Sequence, residues 1–196
     1  MHKARRVGAR SFALCLLALP GLAFAHPGPH HVADMWAGLL HPLTGFDHLL
    51  AMIAVGLWAA QLGRTAMWVL PAAFPAAMLL GAGFGLAGVD LPLIEPMIAV
   101  SVMLLGVAVA SGLRLPIAMS AVLIAFFAVF HGYAHAIEAP AGGTFAGYAT
   151  GFIVVTMLLH VLGVRIGMSL ARANQPLGRQ IGGSLVALAG AALLVF

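Results

Sequence analysis

Six apolar stretches of membrane-spanning length limit what this chain can fold into. They cover residues 42–62, 66–87, 93–111, 116–135, 145–164 and 178–196, and short connections join them. A helix needs about 20 apolar residues to cross a bilayer, and each stretch is close to that length. Hydrophobic residues make up 63% of the chain and charged residues only 7%, against about 25% charged residues in a soluble domain. The sequence therefore predicts an all-α fold, a polytopic membrane helix bundle with about six transmembrane helices.

The first 25 residues have the organisation of a secretory signal peptide. Basic residues precede an apolar segment at 12–19, and Ala-Phe-Ala before His26 is a typical cleavage site. An uncleaved helix is the alternative, but Pro20 and Gly21 favour cleavage. We therefore predict a signal peptide at 1–25 and a single transmembrane helical domain at 26–196. Cys15 is the only cysteine, so the mature chain would have no thiol for a disulfide, a metal site or catalysis.

The charged residues of the connections predict an orientation in the membrane. Arginines and acidic residues occupy alternate connections, with Arg64, Arg114, Arg165, Arg172 and Arg179 in one set and Asp90 and Glu138 in the other. Cytoplasmic loops carry an excess of Lys and Arg, so the mature N-terminus is predicted to be periplasmic, in a bacterial inner membrane. The basic residues are spread too thinly to form a nucleic-acid surface.

Glycines recur at four-residue spacing, a pattern that predicts a tightly packed bundle. The pairs are Gly81/Gly85, Gly147/Gly151, Gly163/Gly167 and Gly178/Gly182. Small residues at this spacing let the backbones of membrane helices approach closely.

Two stretches place ionisable side chains inside these apolar segments. In HPLTGFDHLL, residues 41–50, His41 and His48 are seven residues apart and Asp47 precedes the second histidine. Pro42 suits the first position of a helix, so His41 is expected at or just before the helix start. In FHGYAHAIE, residues 130–138, the two histidines and the glutamate follow a spacing that puts them on one helical face.

The predicted topology brings these groups to the same side of the membrane. The starts of the first and third spans and the end of the fourth would carry seven candidate metal ligands, namely His41, Asp47, His48, Glu95, His131, His135 and Glu138. A carboxylate at the bilayer centre costs about 2.5–3.5 kcal/mol on insertion scales, so it normally faces a partner or a cavity. Imidazole and carboxylate together suit Ni²⁺, Co²⁺, Zn²⁺ or Mn²⁺.

Each of these residues also has a purely structural interpretation. Asp47 would stabilise a helix N-terminus, Glu95 and Glu138 would be interfacial charges, and the histidines of the fourth span would form hydrogen bonds between helices. For His160 in the fifth span, with Thr156 one turn before it, a structural hydrogen bond is favoured over a cation station near the exit. The stretch HPGPHH, residues 26–31, would either collect metal or act as a linker.

The two stretches resemble the motifs of the HupE/UreJ family, hydrogenase and urease accessory membrane proteins proposed to be nickel or cobalt permeases. The first family motif, H-x5-D-H, is matched by His41, Asp47 and His48. The second, F-H-G-x-A-H-G-x-E, is matched from Phe130 to Glu138 except that Ala136 replaces a glycine. The resemblance extends over essentially the whole chain and implies entry of Ni²⁺ without ATP.

Residues and resemblance together predict a non-enzymatic secondary permease for Ni²⁺ or Co²⁺, with Zn²⁺ as a further possible substrate and no permanently bound cofactor. It would supply metal for urease or hydrogenase maturation, with maturation proteins as partners beside the lipid bilayer. An intramembrane zinc hydrolase is an alternative, although the chain has no H-E-x-x-H helix. A scaffold for metallocentre assembly that conducts no ions is a second alternative.

Overall fold

The computed structural model describes residues 35–139 and 145–195, and these residues are helical apart from short connections. The described part of the chain belongs to one compact unit. Its seven helices are α1 (Met35–Thr44), α2 (Phe46–Leu62), α3 (Ala66–Leu86), α4 (Ile94–Ser111), α5 (Ile117–Ile137), α6 (Phe145–Arg172) and α7 (Pro176–Leu193). The predicted signal peptide and the HPGPHH stretch lie outside the described residues. The all-α prediction is confirmed.

Among the described residues, four helices are long and apolar enough to cross a membrane, namely α3, α4, α5 and α6. The count becomes five if α1 and α2 form one broken span. The sixth stretch of the sequence does form a helix, α7, but its first two turns contain Arg179 and Gln180, which lower its hydropathy. A multi-pass membrane protein is therefore supported, whereas six spans and a cleaved signal peptide stay predictions.

The first predicted span differs most from the sequence-based expectation. His41 does not lie at a helix start, because α1 already begins at Met35 and contains Pro42. The helix ends where the Thr44 hydroxyl donates to the His41 carbonyl at 2.8 Å and Gly45 turns extended, with φ −81° and ψ 106°. α2 then starts in a direction bent by 84° from α1. Residues 42–62 are therefore not one uninterrupted helix, and the expectation that His41 lies at or just before a helix start is wrong.

The other helices follow the predicted stretches closely. α3, α4 and α5 begin and end within two residues of the expected bounds, and α6 extends further, to Arg172. α4 ends at Gly112, whose φ of 67° lies in the left-handed region that glycine adopts without strain. Apolar length thus predicts where a helix lies more reliably than whether it is interrupted.

Glycine contacts hold neighbouring helices close together. A methyl group on Gly81 of α3 would overlap the backbone of Val129 in α5, and one on Gly132 of α5 would overlap the backbone of Met78. Gly56 of α2 and Gly163 of α6 form a similar close contact. The predicted tight packing is confirmed at these helix pairs. The predicted pair at the start of α7 forms no such backbone contact among the described residues. A methyl group on Gly178 would meet only the side chains of Leu170 and Gln175, and one on Gly182 would meet nothing beyond its own helix within 4 Å. Gly183 packs against the backbone of α4 instead.

Candidate metal centre

Among the described residues, four histidines from three helices form one group of contacting rings. His41 lies near the end of α1, His48 in the first turn of α2, and His131 and His135 in the last two turns of α5. The ring centroids of His48 lie 4.9 Å from His131 and 4.6 Å from His135. His41 lies 4.8 Å from His135 and 6.2 Å from His48. We call these four residues the histidine cluster; it unites the two motifs that the sequence pointed to.

The bend between α1 and α2 brings the two histidines of the first motif together. Seven residues in a straight α-helix span about 10.5 Å along the axis. The 84° bend at Gly45 instead leaves the rings of His41 and His48 6.2 Å apart, both in contact with His135. His41 and His48 therefore come together because the helix breaks between them, and not because they share one face of a continuous helix.

Asp47 determines how the His48 ring is presented. One carboxylate oxygen, Oδ1, accepts hydrogen bonds from the His48 backbone N–H at 2.8 Å and from Nδ1 of the ring at 2.9 Å. With the proton on Nδ1, the lone pair of the neutral imidazole lies on Nε2. The side chain is only 7% exposed and its Nε2 atom is buried, so this lone pair faces the protein interior. Asp47 is thus both the predicted charge in the first turn of a helix and an orienting partner.

Ser101 of α4 orients the His131 ring, as Asp47 orients the ring of His48. Its hydroxyl donates to the Ile98 carbonyl at 2.6 Å, so it can only accept from Nε2 of His131, which lies 2.9 Å away. The proton is therefore assigned to Nε2 and the lone pair to Nδ1. Sequence reasoning missed Ser101, although it is the only hydroxyl between residues 96 and 110 in an otherwise apolar stretch.

His135 is fully buried and stacks on Phe152 of α6, with ring centroids 4.8 Å apart and planes within 7°. Within residues 35–139 and 145–195, hydrogen-bond partners are absent for both of its ring nitrogens, for Nε2 of His48 and for Nδ1 of His131. We call these four atoms the open nitrogens. Buried polar atoms are nearly always hydrogen-bonded in native proteins, so such a group of open nitrogens marks a place for water or a ligand.

Glu138 lies just after α5, at the edge of the cluster. Its carboxylate is 3.1 Å from Nε2 of His41, and the side chains of Glu138 and His41 are 33% and 27% exposed. The hydrogen bond from His41 lowers the pKa of Glu138 below the usual range of a glutamate. The pair thus places a carboxylate and an imidazole at the more open side of the buried rings.

Glu95 has a less direct connection to the histidine cluster than Asp47 and Glu138 have. It lies exposed in the first turn of α4 and interacts electrostatically with Asp47, Glu138 and His48. Among the described side chains, none forms a hydrogen bond or an ion pair with Glu95. The structure thus brings the histidine cluster, Asp47 and Glu138 into contact and leaves Glu95 within electrostatic reach of them. That these seven residues bind a metal stays a prediction.

Comparison with known proteins agrees with the two motifs. The model of the HupE / UreJ protein family matches residues 14–193. The chain belongs to the HupE/UreJ family. It is 45% identical over 183 residues to Protein HupE of Rhizobium leguminosarum bv. viciae, an alignment that covers 93% of this chain and 95% of that protein. No solved structure matches the chain.

The cluster of this HupE/UreJ family member is not arranged as a finished metal site. In the part of the chain that the structure describes, no group of three or more histidine or acidic side chains is positioned to hold a metal ion. The rings instead lie edge to face or tilted, with the closest pair, His48 and His135, 4.6 Å apart. A cation at the open nitrogens would therefore require the rings to turn apart.

Proposed function

We propose that this chain is a secondary permease for Ni²⁺ or Co²⁺, and that the histidine cluster with Asp47 and Glu138 is its outer cation site. The observation that carries the proposal is the group of open nitrogens, buried between helices of membrane-spanning length. Membership of the HupE/UreJ family supports the same function. Zn²⁺ has the same preference for these ligands and is a possible further substrate.

The chemistry of the site suits a borderline divalent cation. Imidazole nitrogens are good ligands for Ni²⁺, Co²⁺ and Zn²⁺, whereas Mg²⁺ and Ca²⁺ prefer oxygen ligands alone. Asp47 and Glu138 would compensate the charge of the ion, which a membrane interior does not tolerate unpaired. Asp47 would also hold Nε2 of His48 toward the ion, as carboxylates orient metal-binding histidines in other sites.

The contacts between the rings suit passage of the ion. A permease must bind its substrate strongly enough to remove water from it and weakly enough to release it. Binding here would have to separate stacked and edge-to-face rings, and this cost would keep the affinity moderate. A resident catalytic or structural metal would be expected to have a set of ligands already in place.

The direction of transport follows from the proposed orientation. The site would open to the periplasm, and the arginine-bearing connections would face the cytoplasm of a bacterial inner membrane. The ion would then reach proteins that mature urease or hydrogenase. In this proposal the chain itself catalyses no reaction.

Uptake of radiolabelled nickel at low external concentration tests the proposal. Cells carrying the wild-type chain should accumulate nickel, and cells carrying His48→Ala should accumulate no more than cells with an empty vector. Thr150→Val is the matched control, because Thr150 lies exposed on α6 and its hydroxyl donates only to its own helix, to the Ala146 carbonyl at 2.8 Å. Membrane levels of all variants are measured in parallel.

Two results would contradict the proposal. Lack of uptake by correctly inserted wild-type protein would direct attention to a metal-dependent hydrolase or an assembly scaffold. Equal uptake by wild type and His48→Ala would remove the first motif from the transport path.

A further inference from the structure

α6 carries a buried stripe of four side chains, three of them polar, that continues inward from the histidine cluster. Tyr148, Phe152, Thr156 and His160 follow one another at four-residue spacing, so they lie on one face of the helix. All four are at most 1% exposed. Tyr148 and Phe152 contact the rings of the cluster, whereas Thr156 and His160 lie deeper, with His160 about 12 Å beyond Phe152 along the helix axis.

The deeper part of this stripe is polar but unsatisfied. The Thr156 hydroxyl and both ring nitrogens of His160 lack a properly oriented hydrogen bond to any residue in the described ranges. The carbonyl of Pro71 in α3 lies close enough to the His160 ring to affect it electrostatically, although it forms no hydrogen bond with it. That carbonyl has lost its helical donor, because residue 75, four positions on, is also a proline and has no N–H.

One ring connects this region to the outer cluster. The centroid of the buried Phe74 ring lies 5.3 Å from that of His131 and 5.2 Å from that of His160. His160 is thus a single aromatic ring away from an open nitrogen of the cluster. Imidazole, hydroxyl and a carbonyl without its helical donor therefore occur together at the next depth of the bundle.

We propose that His160, Thr156 and the Pro71 carbonyl form an inner cation station, which receives a partly hydrated divalent cation from the histidine cluster. The proposal rests on the proposed transport function and gives the route beyond the outer site. The imidazole supplies a nitrogen ligand, and the two oxygens bind the ion directly or through its remaining water. A single imidazole with neutral oxygens holds the ion weakly, which favours onward release.

A purely structural role for His160 makes a different prediction. If the imidazole served only to satisfy the Pro71 carbonyl, its replacement would lower thermal stability and leave transport per folded molecule unchanged. If it forms a station, the rate of transport falls even where the protein is correctly folded. The two roles are therefore separated by a rate normalised to folded protein.

The test uses the purified full-length protein in liposomes that contain a dye quenched by Ni²⁺. His160→Leu and Thr156→Val remove the polar side-chain atoms of the station at similar volume, and Thr150→Val is the control on the exposed face of the same helix. We expect the initial rate of Ni²⁺ entry to fall about tenfold in His160→Leu, the effect of weakening one ligand interaction, and less in Thr156→Val. Thr150→Val should match wild type. If His160→Leu does not fold, Thr156→Val decides the rate measurement.

Equilibrium dialysis with Ni²⁺ alone provides a second readout. Wild type should show a tighter class of bound Ni²⁺ that His48→Ala removes and a weaker class that His160→Leu removes. Unchanged rates and unchanged binding in both station variants would overturn the inner station. If wild-type vesicles take up no Ni²⁺, the transport function fails, and loss of the weaker class in His160→Leu still establishes the station as a binding site.

Discussion

Single hydrogen bonds decide which atoms of the candidate site face a ligand. Asp47 holds the proton on Nδ1 of His48, and Ser101 holds it on Nε2 of His131. In each ring the other nitrogen remains as a lone pair inside the cluster. The same ring type is thus presented through different atoms, and the difference comes from the neighbouring side chain that each ring nitrogen binds.

Ser101→Ala tests this orienting role. It removes the only acceptor that the structure gives the buried N–H of His131 among the described residues, a loss that costs about 1–3 kcal/mol. We expect lower thermal stability together with a several-fold rise in the nickel concentration needed for half-maximal uptake. Stability is followed by thermal unfolding in detergent, and uptake by radiolabelled nickel.

Ser120→Ala is the matched control for that variant. Ser120 is equally buried in α5, but its hydroxyl donates only to the carbonyl of Pro116, the residue just before α5, at 3.2 Å. Uptake by Ser120→Ala should equal that of wild type. An identical concentration dependence for wild type and Ser101→Ala would show that the serine does not orient the ring.

At the scale of helices, close backbone contacts determine which faces meet. α3 and α5 approach through Gly81 and Gly132, and this contact positions the α5 segment that carries His131 and His135. Gly132 lies between His131 and His135 in the chain, so the glycine of the second motif has a packing role next to these two histidines. The bend at Gly45 completes the arrangement from the side of α1 and α2.

Gly81→Ala and Gly83→Ala form a matched pair on α3. A methyl group at residue 81 would overlap Val129, whereas one at residue 83 would have no described atom within 4 Å beyond the backbone of its own helix. We expect Gly81→Ala to destabilise the protein by about 1–3 kcal/mol, the usual cost of overpacking. Gly83→Ala should be neutral or slightly stabilising, because alanine is the better helix former. Thermal unfolding of both variants measures the difference, and equal stability would exclude a packing role for Gly81.

For the whole molecule, the separation of arginines from the acidic cluster predicts its orientation. Thr65 lies exposed beside Arg64 on one set of connections, and Asp90 lies exposed on the other. In a Cys15→Ser background, a membrane-impermeant maleimide added to spheroplasts should label Asp90→Cys and leave Thr65→Cys unlabelled until the membrane is opened. The reverse pattern would place the histidine cluster on the cytoplasmic side and invert the proposed direction of transport.

The sequence by itself determined the helical class, the positions of most helices and the identity of the ionisable groups. Apolar length and the rarity of buried charge are local properties, so residues such as His131 and Asp47 stand out without a structure. Only the tertiary structure revealed the break at Gly45, the hydrogen bond by which Ser101 orients His131, and the buried stripe that ends at His160. These depend on which helix faces meet, and that depends on the summed packing of small side chains from distant segments, which local hydropathy does not encode.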